Sequence, residues 1–415
     1  MKSLSMPQIF RLAVRNLGRV KRRLVITAAV IALGVGLFIW IDGFVLGTSR
    51  QSETNLITYE TGAFRIVSKQ WWKERDFMPL NYSFQGYEEF MTRLKNLGWH
   101  TTPVVEFFAD VIVTDGNLIL PIMAVDFTSL DSVLPLTKHL VAGSVPKPNH
   151  AQAILGSWLA KDLGLEVGSE FVLQTRTREG SYQTLDLVVS GLVTTPHPAI
   201  NRGRILMDLN LAKEVLQLDH AVTSVVAAVS NPYAIEQEAK RALAALDLSP
   251  NLNLLSWKEL GADAVASAQQ DQQQTAIMVV LFSLMAAVGV ANTMLMATYE
   301  RIREMGILRA LGLNSSELRL LFLIEALLLG FLGSVVGLLL GVVLNAYFVT
   351  QGLDLSAYVQ QVDVGYRLSG VVYSAWNPPA MVGSFLGGIV LAGVASWLPI
   401  RRAVRMTIVD CLRHT

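Results

Sequence analysis

Four runs of this chain contain no charged side chain: Leu24–Ile41 (18 residues), Thr275–Tyr299 (25), Ala326–Leu353 (28) and Leu368–Ile400 (33). A helix needs about 20 apolar residues to cross the hydrocarbon core of a bilayer. The runs therefore predict four transmembrane helices, at 24–47, 271–299, 320–349 and 378–400. Asp42 interrupts the first run, but apolar residues resume at Gly43–Gly47. The pair Pro378-Pro379 breaks the last run and sets the start of its helix. Composition agrees: 52% of residues are hydrophobic and only 16% charged, against about 25% charged in ordinary soluble domains. Glycines recur at helical spacing: Gly34 and Gly36, then Gly330, Gly333, Gly337 and Gly341, then Gly383, Gly387 and Gly388. Small residues so spaced let membrane helices approach closely.

Lys21-Arg22-Arg23 before the first run resembles the flank of a signal peptide. The apolar part is too long for one, and no small-x-small site closes it, so it reads as a retained anchor. Residues 1–23 hold seven Lys and Arg and no acid, and the 300–319 loop and the 401–415 tail are also rich in arginine. The loop 350–377 has only Arg367. The positive-inside rule then places segments 1–23, 300–319 and 401–415 in the cytoplasm, and 48–270 and 350–377 outside. Four crossings give the same parity. The expected location is the cell inner membrane, multi-pass, with both termini cytoplasmic.

Segment 48–270 is long enough for its own core. Ala63–Ser68, Phe108–Val113, Leu118–Val125, Phe171–Thr175 and Leu185–Leu192 read as strands. Tyr87–Leu97, Gly156–Leu163, Leu209–Leu216 and Ala234–Ala245 read as helices. The fold class is thus an α-helical membrane protein with a large α+β extracytoplasmic domain between its first and second helices. A mainly β block at about 151–195 reads as a self-contained insertion, with a hairpin turn at Arg178–Ser181. The first helix is expected to run out to about Leu56. The second would begin as a stalk: a helix over 258–298 is about 60 Å long at ~1.5 Å per residue.

Catalytic signals are lacking. The five outer histidines have no metal-ligand spacing, and neither a G-x-S-x-G elbow nor a local triad occurs. The loop Thr195-Pro196-His197-Pro198 reads as rigid, with an exposed imidazole, and Trp71-Trp72 as packing or a contact surface. A single cysteine, Cys411, excludes an intrachain disulfide framework and a cysteine-built zinc site. With 34 Lys+Arg against 33 Asp+Glu, no basic field calls for nucleic acid. No G-x-x-x-x-G-K-[ST] phosphate loop occurs.

The segment Glu300–Gly312 predicts a short amphipathic helix, with Ile302, Met305 and Leu308 or Arg309 near one face and Gly312 as cap. Its pattern, E-R-x-R-E-M-G-x-L-R-A-L-G, follows Asn292–Leu295 and precedes Leu323-Ile324-Glu325-Ala326-Leu327. Together these resemble the FtsX-like permeases of type VII ABC transporters, the MacB, LolC and LolE group. Leu12-Ala13-x-Arg15-Asn16-Leu17 resembles the family's start, and Ala395-Ser396-x-x-Pro399-x-Arg401-Arg402-Ala403 its end. Ile154–Gly168 resembles the inserted β subdomain called Sabre, and its flanks the Porter unit. Ile408 departs from the proline usual in the tail.

The resemblance implies a permease that is not itself an enzyme and binds no cofactor. ATP and magnesium would sit on a separate cytoplasmic ABC ATPase. A second permease, identical or related, membrane lipid, and a periplasmic carrier or adaptor are the further partners implied. The ATPase-coupling residues would be Glu300, Ile302, Arg303, Glu304, Met305, Gly306, Leu308 and Arg309. Trp40, Phe44 and Leu46 would meet substrate near the outer leaflet. Motion would pass from the ATPase to the outer domain by mechanotransmission. Lipoprotein release from the inner membrane is the leading expectation. Efflux of a peptide, toxin or antibiotic, or control of cell-wall hydrolases, are the alternatives. LolC-like chains carry a longer hook where this chain has only the Arg178–Gln183 loop, which draws it toward LolE.

Overall fold

The computed structural model describes residues 6–17, 21–113, 116–300, 302–310, 312–356, 368, 370–406 and 411. Helices α1 (Met6–Leu17) and α2 (Lys21–Leu56) lead into a π-turn, Ile57–Thr61. Then follow β1 (Phe64–Ser68), α3 (Lys69–Lys73), α4 (Tyr87–Asn96), β2 (His100–Val113), β3 (Gly116–Val125), α5 (Phe127–Leu130), β4 (Leu140–Gly143) and β5 (Gln152–Gly156). Next come α6 (Ser157–Asp162), β6 (Glu170–Arg176), β7 (Tyr182–Val193), α7 (Pro198–Gly203), β8 (Ile205–Asp208), α8 (Leu209–Val215), β9 (Ser224–Ala228) and α9 (Ile235–Ala245). The chain continues through β10 (Leu252–Ser256), α10 (Trp257–Leu260), α11 (Ala262–Glu300), α12 (Ile302–Ala310), α13 (Ser315–Thr350) and α14 (Pro378–Val404). It divides into two units: Met1–Ser49 with Ala268–Leu353 and Val372–Thr415, and Arg50–Ser267 with Asp354–Val371.

Within the first unit, α2, α11, α13 and α14 include four stretches long and apolar enough to cross a membrane. Glycines set how closely they pack. A β-carbon at Gly333 would stand 2.8 Å from Ile31 Cβ, and one at Gly341 2.9 Å from Ile39 Cβ, so α13 lies directly on α2. At Gly330 it would stand 2.8 Å from Ala392 Cβ on α14. Not every expected glycine takes part: Gly34, Gly383 and Gly387 have nothing within 4 Å. In α11, only Val290 is buried among the described residues.

Extended backbone before α14 is stitched to its neighbours. Ala375 N–H donates to the Gly43 carbonyl (2.8 Å), Asn345 Nδ2 donates to the Ala375 carbonyl (3.2 Å), and Asn377 Nδ2 donates to Asp42 (2.7 Å). Gly43 and Gly47 leave the room for this: a side chain at either would run into the Ala375 or Tyr373 carbonyl.

The second unit is built on a ten-stranded sheet in the order β10-β1-β9-β2-β3-β8-β5-β7-β4, with β6 pairing β2 and β7. Side chains alternate between two cores, as a period of two requires. Val105, Ile122, Leu155, Ile205 and Val225 enter one; Val104, Met123, Ile154, Leu206 and Val226 enter the other. The strands of the 151–195 stretch do not form a sheet of their own. Outside that stretch, β5 pairs β8, β7 pairs β4, and β6 pairs β2 at Asp110–Ile112. The 14-residue β2 extends far enough to present an edge to β6. The β6–β7 connection is a short turn, with Arg176 directly opposite Tyr182.

The stalk helix starts later than a continuous 258–298 helix. Ser256 and Glu259 form a reciprocal capping box that begins α10, and α11 starts afresh at Ala262. Between them Gly261 accommodates Leu56, whose Cδ2 would lie 2.5 Å from a β-carbon there. The first helix does extend to Leu56.

Candidate functional site

Helix α12 carries most of the residues expected to couple to an ATPase, and it turns its apolar side inward. Ile302 and Met305 are 1% exposed and pack with Leu318, Phe322, Ile400, Val404 and Cys411 of the same chain. Leu308 is partly buried against this cluster, and Gly306 is buried. In this chain these side chains, expected as partner contacts, are engaged by its own residues. The apolar side of this amphipathic helix is covered by its own chain, which removes it from water without a partner. Arg309 is half-buried and donates to the Met406 carbonyl, tying α12 to the end of α14.

The outward face holds Arg303, Glu304, Ile307 and Ala310, with Glu300 exposed just before the helix. Ile307 is 47% exposed, an apolar side chain on a charged face. The sequence reading placed Ile302, Met305 and Leu308 or Arg309 on one face and left Ile307 unassigned; Ile307 lies far from Ile302 around a helix with about 3.6 residues per turn. Gly312, at φ +98°, closes the helix, and Asn314 with Glu317 forms the capping box that opens α13. The site is thus held from both ends: a cap on either side of the turn and an apolar cluster beneath it.

The expected substrate contacts are partly engaged inside the helical unit. Trp40 lies 5.3 Å from Phe348 of α13 and 6.4 Å from Phe44, ring centre to ring centre. Its indole is therefore a packing element, and Phe44 and Leu46 are half-buried.

In the sheet domain, His197 is buried rather than exposed. Its Nε2 lies 2.8 Å from the Glu60 carboxylate, and Thr195 and Asn201 fold the proline loop over it. Nearby, Arg65 pairs with Glu106 at 2.6 Å and donates to the Glu60 carbonyl (3.0 Å). Arg204 Nη1 adds charge 3.5 Å from Glu106 without a hydrogen bond from that atom. Buried charges need such partners. The network connects the π-turn to β1, β2 and α7. Trp71 is buried with Val67 and Leu255, while the Arg75 guanidinium covers Trp72 at 4.5 Å. His139 stacks edge-on with Tyr59, whose hydroxyl lies 2.9 Å from its Nε2; burial holds the imidazole below its ordinary pKa despite nearby Asp131. No group of three or more His, Cys, Asp or Glu fit to hold a metal occurs among the described residues.

Parts of the chain are similar to known permeases. Residues 276–408, which contain α12, α13 and α14, match the FtsX-like permease C-terminal domain. The lipoprotein-releasing system transmembrane protein LolC of Xylella fastidiosa (strain 9a5c) is 25% identical over 301 residues, 68% of this chain and 70% of that protein. The macrolide export ATP-binding/permease protein MacB of Escherichia coli (strain K12) is 29% identical over 136 residues, 33% of this chain and 18% of its own. Among solved structures, the periplasmic region of MacB from Actinobacillus actinomycetemcomitans aligns with TM-score 0.35 and 11% identity, over 48% of this chain and 91% of that one. The chain thus carries an FtsX-like permease C-terminal domain over residues 276–408. It is similar to ABC transporter permeases of the LolC and MacB type.

Proposed function

We propose that this permease releases lipoproteins from the outer face of the inner membrane, driven by a separate cytoplasmic ABC ATPase and paired with a second permease. In this reading α2, α11, α13 and α14 cross the bilayer, both termini are cytoplasmic, and the sheet domain stands outside. The observation that carries it is the extent of the similarity to LolC, over about two thirds of both chains, whereas similarity to MacB spans a third of this one. ATP turnover would press on the outward face of α12. Its buried side would pass the displacement to the first turn of α13 and the end of α14, which share its apolar cluster. The sheet domain would then act as a lever.

Lipid-anchored cargo suits a lever better than a water-filled pore. Each acyl methylene exposed to water costs about 0.8 kcal/mol, so acyl chains must stay sheltered in transit. Efflux of a peptide, toxin or antibiotic is the second reading, favoured by the MacB relatives. The test is photocrosslinking in cells from Phe44 or Leu46 of α2. Capture of a lipoprotein that ATP turnover then releases supports the proposal. Capture of phospholipid alone, with lipoproteins reaching their normal destination after depletion of this chain, moves the reading to efflux.

A further inference from the structure

Helix α1 has two apolar faces, and only one of them is covered. Ile9 and Ala13 are buried against Leu321 of α13, and Asn16 Nδ2 donates to Glu325 at 2.7 Å. These contacts fix α1 along the first half of α13. On another side Met6, Phe10 and Val14 recur every fourth residue and are 61%, 51% and 48% exposed. Beside this stripe runs a groove of about 1130 Å³ whose wall includes Phe10, Val14, Leu327 and Phe331, with Arg11 and Arg15 also lining it. The two arginines are exposed and one helical turn apart. Residues 1–23 contain no acid that could neutralise them locally.

An apolar trough with paired guanidinium groups has the chemistry to hold an anionic amphiphile. Arginine pairs with phosphate in bidentate geometry. A basic amphipathic helix with bulky apolar residues lies in the membrane interface, drawn to anionic lipid. We infer that the groove between α1 and α13 binds an anionic phospholipid of the cytoplasmic leaflet. Its acyl chain lies along Phe10, Val14, Leu327 and Phe331, and its phosphate meets Arg11 and Arg15. This rests on the membrane placement proposed above. The bound lipid braces α1 against α13, whose first turns pack against α12. The lipid would thus set how firmly the coupling helix is seated.

The experiment is native mass spectrometry of the full chain released from nanodiscs that hold equal amounts of phosphatidylglycerol and phosphatidylcholine with identical acyl chains. Preferential retention of phosphatidylglycerol is expected. Arg11→Gln and Arg15→Gln should each lower the ratio of the two retained lipids about five-fold. Arg11→Lys with Arg15→Lys should keep most of the preference. Glycerol phosphate without acyl chains should not displace the lipid, since it offers nothing to the trough. Equal retention of both lipids, an unchanged ratio in the glutamine variants at equal thermal stability, or displacement by glycerol phosphate would each overturn the site. Occupation of the groove by the ATPase subunit in place of lipid, seen as loss of phosphatidylglycerol from the assembled complex, would overturn it too. Extraction of the chain from cell membranes by alkaline carbonate would sink the membrane placement instead. A chain that stays in the membrane yet shows no lipid preference sinks only the site.

Discussion

At Gly337 the absence of one carbon decides whether two helices can meet. A β-carbon there would lie 2.7 Å from the Ala32 carbonyl oxygen and 2.8 Å from Val35 Cβ. The first obstacle is backbone and cannot rotate away. Gly337→Val should therefore destabilise the helical unit by about 1–3 kcal/mol, the usual range for overpacking. Gly34→Ala, with open space around it, should leave stability unchanged or slightly higher. Thermal unfolding of the purified chain compares the two. A second residue-scale prediction concerns His139. Burial holds its folded pKa below the ordinary 6.5, and Tyr59 Oη is within hydrogen-bond reach of Nε2. The unfolded chain therefore takes up this proton before the folded one does. Stability from this group is fully present above pH 6.5 and falls as pH drops from there toward the folded value. His139→Gln should flatten that part of the profile, measured by denaturant unfolding across pH 5–7.5.

Among the elements, α12 carries the clearest division of labour. Ile307→Asp or Arg303→Glu, on the outward face, should weaken ATPase binding and separate ATP hydrolysis from transport while the chain folds normally. Met305→Ala should instead lower thermal stability by about 2–5 kcal/mol, because it opens a cavity in the cluster beneath. Co-purification of the ATPase with each variant distinguishes the two. Equal loss of binding in all of them, at equal stability, would deny α12 a docking face. How these elements could be read in advance depends on the range of their causes. The helices Tyr87–Asn96 and Ile235–Ala245 and strands such as Leu118–Val125 follow from local periodicity, and they lie where the pattern puts them. The strand Ile205–Asp208 escaped because all four of its residues are buried, so no polar alternation marks it. His197 reads as a loop residue because its partner, Glu60, is 137 positions away in sequence. The inward turn of Met305 depends on Ile400 and Val404, also distant in sequence. Helix α1 was concealed by its charges, which read as a topogenic flank rather than one side of an amphipathic helix.

For the molecule as a whole, the proposed topology makes a direct prediction. In a Cys411→Ser background, Glu179→Cys in the β6–β7 turn should react with a membrane-impermeant maleimide added to intact spheroplasts. Arg303→Cys should react only after the membrane is opened. The opposite pattern would invert the topology. The polar stitch across the helical unit sets a second whole-chain property: how unevenly the protein tolerates changes in its own length. Adding one residue between Gly43 and Gly47 would turn everything beyond it by about 100° around α2. A side chain would then replace the bare glycine surface of Gly47 beneath the Tyr373 carbonyl. By contrast, a β-carbon at Gly180 meets nothing within 4 Å, and the turn there joins two paired strands. Insertions gained over generations should collect at that turn, whereas the stretch Gly43–Gly47 can change its residues only within a fixed count.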